Sequence, residues 1–171
     1  MIGKMAHLGR HAIVIGASMS GLLAGRALAG YYDEVTLVDR DALPLTYEPR
    51  KGVPQGRHTH GLLARGREVL EQLFPGFTAE MVAEGAVSGD VADAVLWFNH
   101  GFYLCNVHSD LSGLAISRPM LEDGGRRGLL QLPNVRLLEH SDTLEPMFDR
   151  VERRVTGVRA QLQRDLAARS R

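Results

Sequence analysis

The chain has 171 residues, with 20 basic and 20 acidic side chains and no formal net charge. That balance gives no global electrostatic reason to expect nucleic acid or an anionic membrane as a partner. The length suffices for the core of one domain, and no apolar run approaches the roughly 18 residues that would mark a membrane span. Cys105 is the only cysteine, which excludes an internal disulfide and fits a reducing cytoplasm. Its neighbours Leu104 and Asn106 do not suggest a nucleophile, so a cysteine packed in a strand is expected.

Met1 to Gly9 reads as a frayed leader. Residues 11–40 (HAIVIGASMSGLLAGRALAGYYDEVTLVDR) then organise the chain. His11 to Ile15 is a short apolar run rich in branched residues, as a buried parallel strand should be. Gly16, Ser18 and Gly21 occupy the three positions of a G-x-G-x-x-G turn. The first glycine supplies the sharp strand-to-helix turn, the second position lets a pyrophosphate approach the backbone, and the third lets the helix pack close to the sheet. Ser18 departs from the pattern, but it is small and its hydroxyl can donate to a phosphate. Gly30 is placed to end the helix. Glu34 to Val38 reads as the second strand, and Asp39 closes it at the distance where an acid meets a ribose diol. The context predicts a dinucleotide site. An ordinary glycine-rich βαβ unit is the plainer alternative. A signal peptide is a third: Lys4 and Arg10 precede the apolar stretch, and Ala27-Leu28-Ala29 resembles a cleavage site. Against it, small polar residues dilute that stretch, and cleavage would remove the partner of the Asp39 strand.

Residues 40–60 read as a loop, since three prolines and two glycines rule out a helix. Its length and its Arg40, Arg50, Lys51, Arg57, His58 and His60 favour function. The two histidines lack a third ligand at a recognisable spacing, so no metal is expected. Helical periodicity resumes from His60 to Phe74, with Leu62, Leu63, Val69, Leu70 and Leu73 on one face. Pro75-Gly76 stops it. Thr78 is expected to cap a short helix with Met81 and Val82 inward, ended by Gly85. Strands are expected at 91–98, 102–107 and 114–117, forming an antiparallel excursion over residues 86–117. Trp97, Phe98, Phe102 and Tyr103 read as core in preference to a pocket lining. Arg118-Pro119 opens a helix to about Leu130, made irregular by Gly124 and Gly125. Val135 to Leu138 is a short buried strand, and 143–148 with 151–160 form a meander. From Gln161 the chain is polar and Arg-rich; residues 150–171 hold seven arginines against two acids, which reads as a frayed end in preference to a basic tail.

Three blocks together resemble the FAD-dependent monooxygenases of the aromatic-hydroxylase and squalene-epoxidase-like type: GASMSGLLAGRAL…VTLVDRD (16–41), EPRKGVPQGRHTHGLLARGREVLEQLFPG (48–76) and ISRPMLEDGGRRGLLQLPNVRLLEH (116–140). The first block is common to many flavoproteins, so the second and third carry the specificity. The resemblance covers about residues 10–160. It implies an α/β fold: a Rossmann-like FAD-binding βαβ unit with a parallel sheet, an antiparallel β excursion belonging to the start of a substrate domain, and a C-terminal β-meander. It implies that Gly16, Ser18 and Gly21 cradle the FAD pyrophosphate, and that Asp39 holds the adenosine ribose. Arg40 would lie against the adenine, Arg50 near the phosphates, Gln55 and the residues to His60 beside the flavin ring, and Arg118 would reach the cofactor from the far side. No protein base is implied. Chemistry in this family belongs to a flavin hydroperoxide, with NAD(P)H as reductant and a small apolar or aromatic organic substrate.

Family members are much longer. They continue after the meander into a further buried strand, an Asp-Gly turn and a Gly-Asp segment, none of which is found here. The expectation is therefore a single, incomplete FAD/NAD(P)-binding-type domain over 1–171. It would be inactive alone, with a sheet edge exposed to self-association. A different flavin-dependent oxidoreductase, of halogenase or prenyl-reductase type, and a non-catalytic remnant are the competing readings.

Overall fold

The computed structural model describes residues 6–44, 46–58 and 60–163. The expected tail beyond Gln163 and the first five residues of the expected leader lie outside them. The fold begins with β1 (Gly9–Ile15), α1 (Met19–Leu28) and β2 (Tyr32–Val38). β1 and β2 are parallel, with Ala12 opposite Val35 and Ile15 opposite Val38. Val35 and Leu37 are fully buried because α1 lays Leu22 against this sheet. α1 ends at Leu28 with Ala29 as its cap, so Gly30 is the first residue past the cap, where it was expected to end the helix.

After a loop containing a single 3₁₀ turn at Pro54–Arg57, the chain forms β3 (Gly61–Leu62), α2 (Ala64–Leu73) and α3 (Phe77–Ala83). The expected helical start at His60 is corrected. Gly61 and Leu62 pair as strand, and Leu63 is exposed at the cap of α2. Gly76, at φ +89°, caps α3, and the carboxylate of Glu71 accepts from the Gly76 and Thr78 backbone N–H groups. Thr78 therefore lies inside the first turn and is not the cap. Its hydroxyl is buried without a partner among the described residues. Met81 is fully buried as expected, but Val82 faces solvent.

The excursion follows as β4 (Val87–Asp90), β5 (Phe98–Asn99), β6 (Phe102–Tyr103) and β7 (Ser112–Ala115). β3, β7 and β4 form an antiparallel sheet in that order, and β5 and β6 form a separate hairpin. The expected strands are thus shorter and shifted, because Asp90 ends β4. Its carboxylate gathers the Ala92, Ser109 and Asp110 N–H groups and the Ser109 hydroxyl, so local turn bonds replace a strand ladder. Two expectations fail here. Trp97, Phe98, Phe102 and Tyr103 are exposed, and so is Cys105, which lies in no strand.

α4 (Arg118–Leu130) is an unbroken helix capped by Ser117, whose hydroxyl accepts from the Met120 N–H. The expected irregularity at Gly124 and Gly125 is absent, and packing favours glycine at 124 and also at 128. A Cβ on Gly124 would lie 2.8 Å from the Met81 sulfur, and one on Gly128 would lie 2.7 Å from the Phe74 ring. α3 packs closely on α4 for that reason. α4 delivers the chain to β8 (Val135–Leu138), which pairs parallel to β2, with Val35 opposite Val135 and Val38 opposite Leu138. The parallel sheet is therefore β1-β2-β8. Asn134 secures its base by donating to the carbonyls of Ala29 and Tyr32. A two-stranded antiparallel ribbon, β9 (Ser141–Asp149) and β10 (Arg154–Leu162), completes the described chain, its strands near the expected 143–148 and 151–160.

Candidate functional site

The turn between β1 and α1 requires its glycines for two different reasons. Gly16 has φ +94°, a conformation that disfavours any side chain. Gly21 is on the first turn of α1, and a Cβ there would sit 1.9 Å from the carbonyl oxygen of Gly16. The helix start is thus pressed onto the turn, with the first-turn N–H groups of α1 lacking intrahelical acceptors. The Gly16 N–H donates to Val38, which joins the turn to the end of β2.

Asp39 follows immediately and is buried. Its Oδ2 accepts the Ala17 N–H at 2.6 Å, and its Oδ1 accepts the Asp41 N–H at 2.9 Å. The acid is therefore fixed beside the turn. Gly16, Ser18, Asp39, Arg40 and Arg50 all line one cleft of about 350 Å³, whose opposite wall includes Gly52 and Ser141 to Thr143. Five of the sequence-predicted positions thus meet in a single concavity. Arg40 is largely exposed. Gly21 is not among the cleft residues.

Arg50 crosses the cleft with its side chain almost wholly buried. Its Nη1 reaches Asp39 at 3.2 Å and Asp41 at 3.1 Å, while its Nε reaches Glu122 at 3.4 Å. Arg118, at the start of α4, donates through Nε to Glu122 at 2.9 Å and through Nη2 to the Ser18 hydroxyl at 3.2 Å. Ser18 in turn donates to Glu122 at 2.6 Å. Its hydroxyl is thereby turned toward α4, and it makes no cap bond to its own helix. Gln55 is exposed on the 3₁₀ turn and is not among the cleft residues. His58 is also exposed, and the described residues contain no cluster of metal-ligating side chains.

No protein-family model matches the chain. It is 40% identical over 162 residues to Protein Rv3254 of Mycobacterium tuberculosis (strain ATCC 25618 / H37Rv), a match covering 92% of this chain and 34% of that protein. The chain therefore spans about a third of the length of its curated relative. Among solved structures it is similar to pqsL, a probable FAD-dependent monooxygenase from Pseudomonas aeruginosa. The identity is 15% and the TM-score 0.64, over 90% of this chain and 39% of that one. It is also similar to the flavin-dependent monooxygenase PieE, solved with FAD and substrate, at 16% identity and TM-score 0.55 over 84% of this chain and 26% of that one. The fold is that of FAD-dependent monooxygenases. Another PqsL structure holds 2-aminobenzoylacetate.

Within this fold the sequence reading missed Glu122 and Asp41. Glu122 stands four residues after Arg118 on α4, so the i,i+4 spacing of the pair was the available signal. Asp41 carried no comparable signal, since its role depends on the path of Arg50 through the loop. A second concavity, of about 570 Å³, is apolar and lies on the β3-β7-β4 sheet. Its rim includes His60, Leu63 and Trp97. Burial, and then the nearby Arg118 guanidinium, lower the pKa of His60 from its usual 6.5.

Proposed function

We propose that this chain is the FAD-binding portion of a flavin-dependent monooxygenase, with a Rossmann-like βαβ unit at its centre. The observation that carries the reading is the joined geometry of Gly16, Gly21 and Asp39. Two glycines are sterically required, a helix start faces a cleft, and a buried carboxylate sits at the cleft edge. These features suit a dinucleotide: amide groups for the pyrophosphate, an acid for the ribose, and arginines within reach. Ser18 does not obstruct, because its hydroxyl points to Glu122.

In this reading Gly16, Ser18 and Gly21 form the pyrophosphate cradle and Asp39 accepts from the ribose diol. Arg40 flanks the adenine at the exposed rim, and Arg118 supports the cradle through Ser18. Arg50 and the ribose compete for the Asp39 carboxylate, so binding transfers Arg50 from Asp39 toward the phosphates. Gln55 and the loop to His60 border the flavin ring. Residues 1–171 act as one FAD-binding domain, with 86–117 opening the substrate domain. Bound FAD supplies oxygen-transfer chemistry, with NAD(P)H as electron source and a small apolar or aromatic molecule as substrate. The chain's own residues bind and orient the cofactor.

The test is a comparative titration of the purified chain with FAD and NADP⁺ by calorimetry. Asp39 repels a 2′-phosphate, so FAD binds more tightly. Tighter NADP⁺ binding, or unchanged FAD binding in Gly21→Leu, refutes the assignment.

A further inference from the structure

We propose that Glu122 is a positioning residue of the dinucleotide site. Its carboxylate holds Arg50 directly, and the glycine turn through the Ser18 hydroxyl and Arg118, in the arrangement that grips the pyrophosphate. The inference rests on the dinucleotide reading above.

Glu122 is only 5% exposed. A buried carboxylate is tolerated when donors surround it, and here the donors come from three separate parts of the chain. Oε1 accepts from Ser18 at 2.6 Å and from Arg118 at 2.9 Å, and Oε2 faces the Arg50 Nε at 3.4 Å. Glu122 thus ties the glycine turn, the 40–60 loop and α4 to a single point. It does not line the cleft itself. It stands behind two residues that do, Ser18 and Arg50.

Two effects of this carboxylate oppose each other. Its negative charge offsets one of the two arginines and weakens their attraction for a phosphate. Its hydrogen bonds fix where those arginines sit. Arg50 also bonds Asp39 and Asp41 through Nη1. Without the anchor at Nε, the guanidinium loses the contact that holds it on the α4 side of the cleft, where a phosphate would meet it. Without Glu122, Arg118 and Ser18 lose their shared acceptor and the turn loses its tie to α4. Pre-organised donors bind more tightly than mobile ones of the same charge, so positioning outweighs the lost attraction.

Glu122→Gln separates the two effects, because they predict opposite signs. The probes are ADP and adenosine, titrated into the full chain by calorimetry, with circular dichroism as the check on folding. Positioning predicts an ADP dissociation constant raised about tenfold, with adenosine, which lacks phosphates, unchanged. Equal or tighter ADP binding means that charge alone matters and overturns the proposal. Equal weakening of ADP and adenosine means a general structural role and overturns it too. If the wild-type chain binds neither probe, the dinucleotide reading itself falls, and this inference with it. Should the Gln variant not fold, Glu122→Asp carries the same comparison. Its shortened carboxylate keeps the charge and loses the reach, and the same ADP-selective loss is expected.

Discussion

A Cβ on Gly21 would lie 1.9 Å from the carbonyl oxygen of Gly16, five residues earlier. The clash is with backbone, which cannot rotate away as a side chain can. Gly21→Ala must therefore lift the start of α1 off the turn. Overpacking of this kind costs about 1–3 kcal/mol. The expected outcome is a lower urea midpoint, read by circular dichroism, together with loss of FAD binding. Gly25→Ala is the control: its added carbon would meet only side-chain methyls, at 3.0 Å and 3.2 Å, and a smaller loss is expected. Equal losses in the two variants would refute the argument.

Arg50 is the sole arginine bonded to Asp39 and Asp41 at closer than 3.5 Å among the described residues, and it also faces Glu122. Arg50→Met keeps much of the side-chain volume and removes the charge. Three buried or nearly buried carboxylates then face one another with less compensation. Removing one partner of a buried pair costs about 3–5 kcal/mol. Urea unfolding of wild type and variant at pH 7 measures this, and a difference below about 1 kcal/mol counts against it.

The β1-α1-β2 unit and its glycine turn were legible in the sequence, because both are local. Val135 to Leu138 is the strand that was read, and Gly16 to Asp39 are brought together as their spacing requires. The excursion was less legible. Val91 to Phe98 has the composition of a strand, yet Asp90 and Ser109, far apart in sequence, bond each other and turn the chain there. Gly124 looked like a helix breaker because propensity is intrinsic, whereas the Met81 and Phe77 contacts that favour glycine come from α3. The ion-pair network was invisible for the same reason: Ser18 and Glu122 are 104 residues apart.

His60 gives the molecule a pH dependence of known sign. Burial first, and Arg118 second, lower its pKa below the usual 6.5. The unfolded chain then takes up a proton more readily than the folded one. Stability contributed by the neutral ring is present above pH 6.5 and is lost as the pH falls through the folded pKa. Thermal midpoints measured between pH 7.5 and pH 5.5 should therefore decline for wild type. They should decline less for His60→Gln, which cannot titrate. Parallel profiles for the two proteins would show that His60 is not responsible.

The β5–β6 hairpin predicts self-association. Leu96, Trp97, Phe98, Phe102, Tyr103 and Leu104 are all more than half exposed, and Phe98 stacks edge-on against Tyr103 with centroids 5.2 Å apart. No Asp, Glu, Lys or Arg stands between Asp93 and Asp110. Contiguous apolar surface of this kind drives association, and no charge on the hairpin opposes a second copy. The β1 edge of the parallel sheet is the competing route, since unpaired strand edges also recruit partners. Its exposed apolar side chains are Ile13 and Ile15, at 37% and 62%, against six such side chains on and beside the hairpin. The hairpin offers the larger apolar surface, so it is expected to dominate. Light scattering over a concentration series should show an average mass that rises with concentration. Phe102→Ser should reduce that rise, whereas Ile13→Lys should leave most of it. A reduction by Ile13→Lys alone would assign the association to the sheet edge and refute the hairpin route.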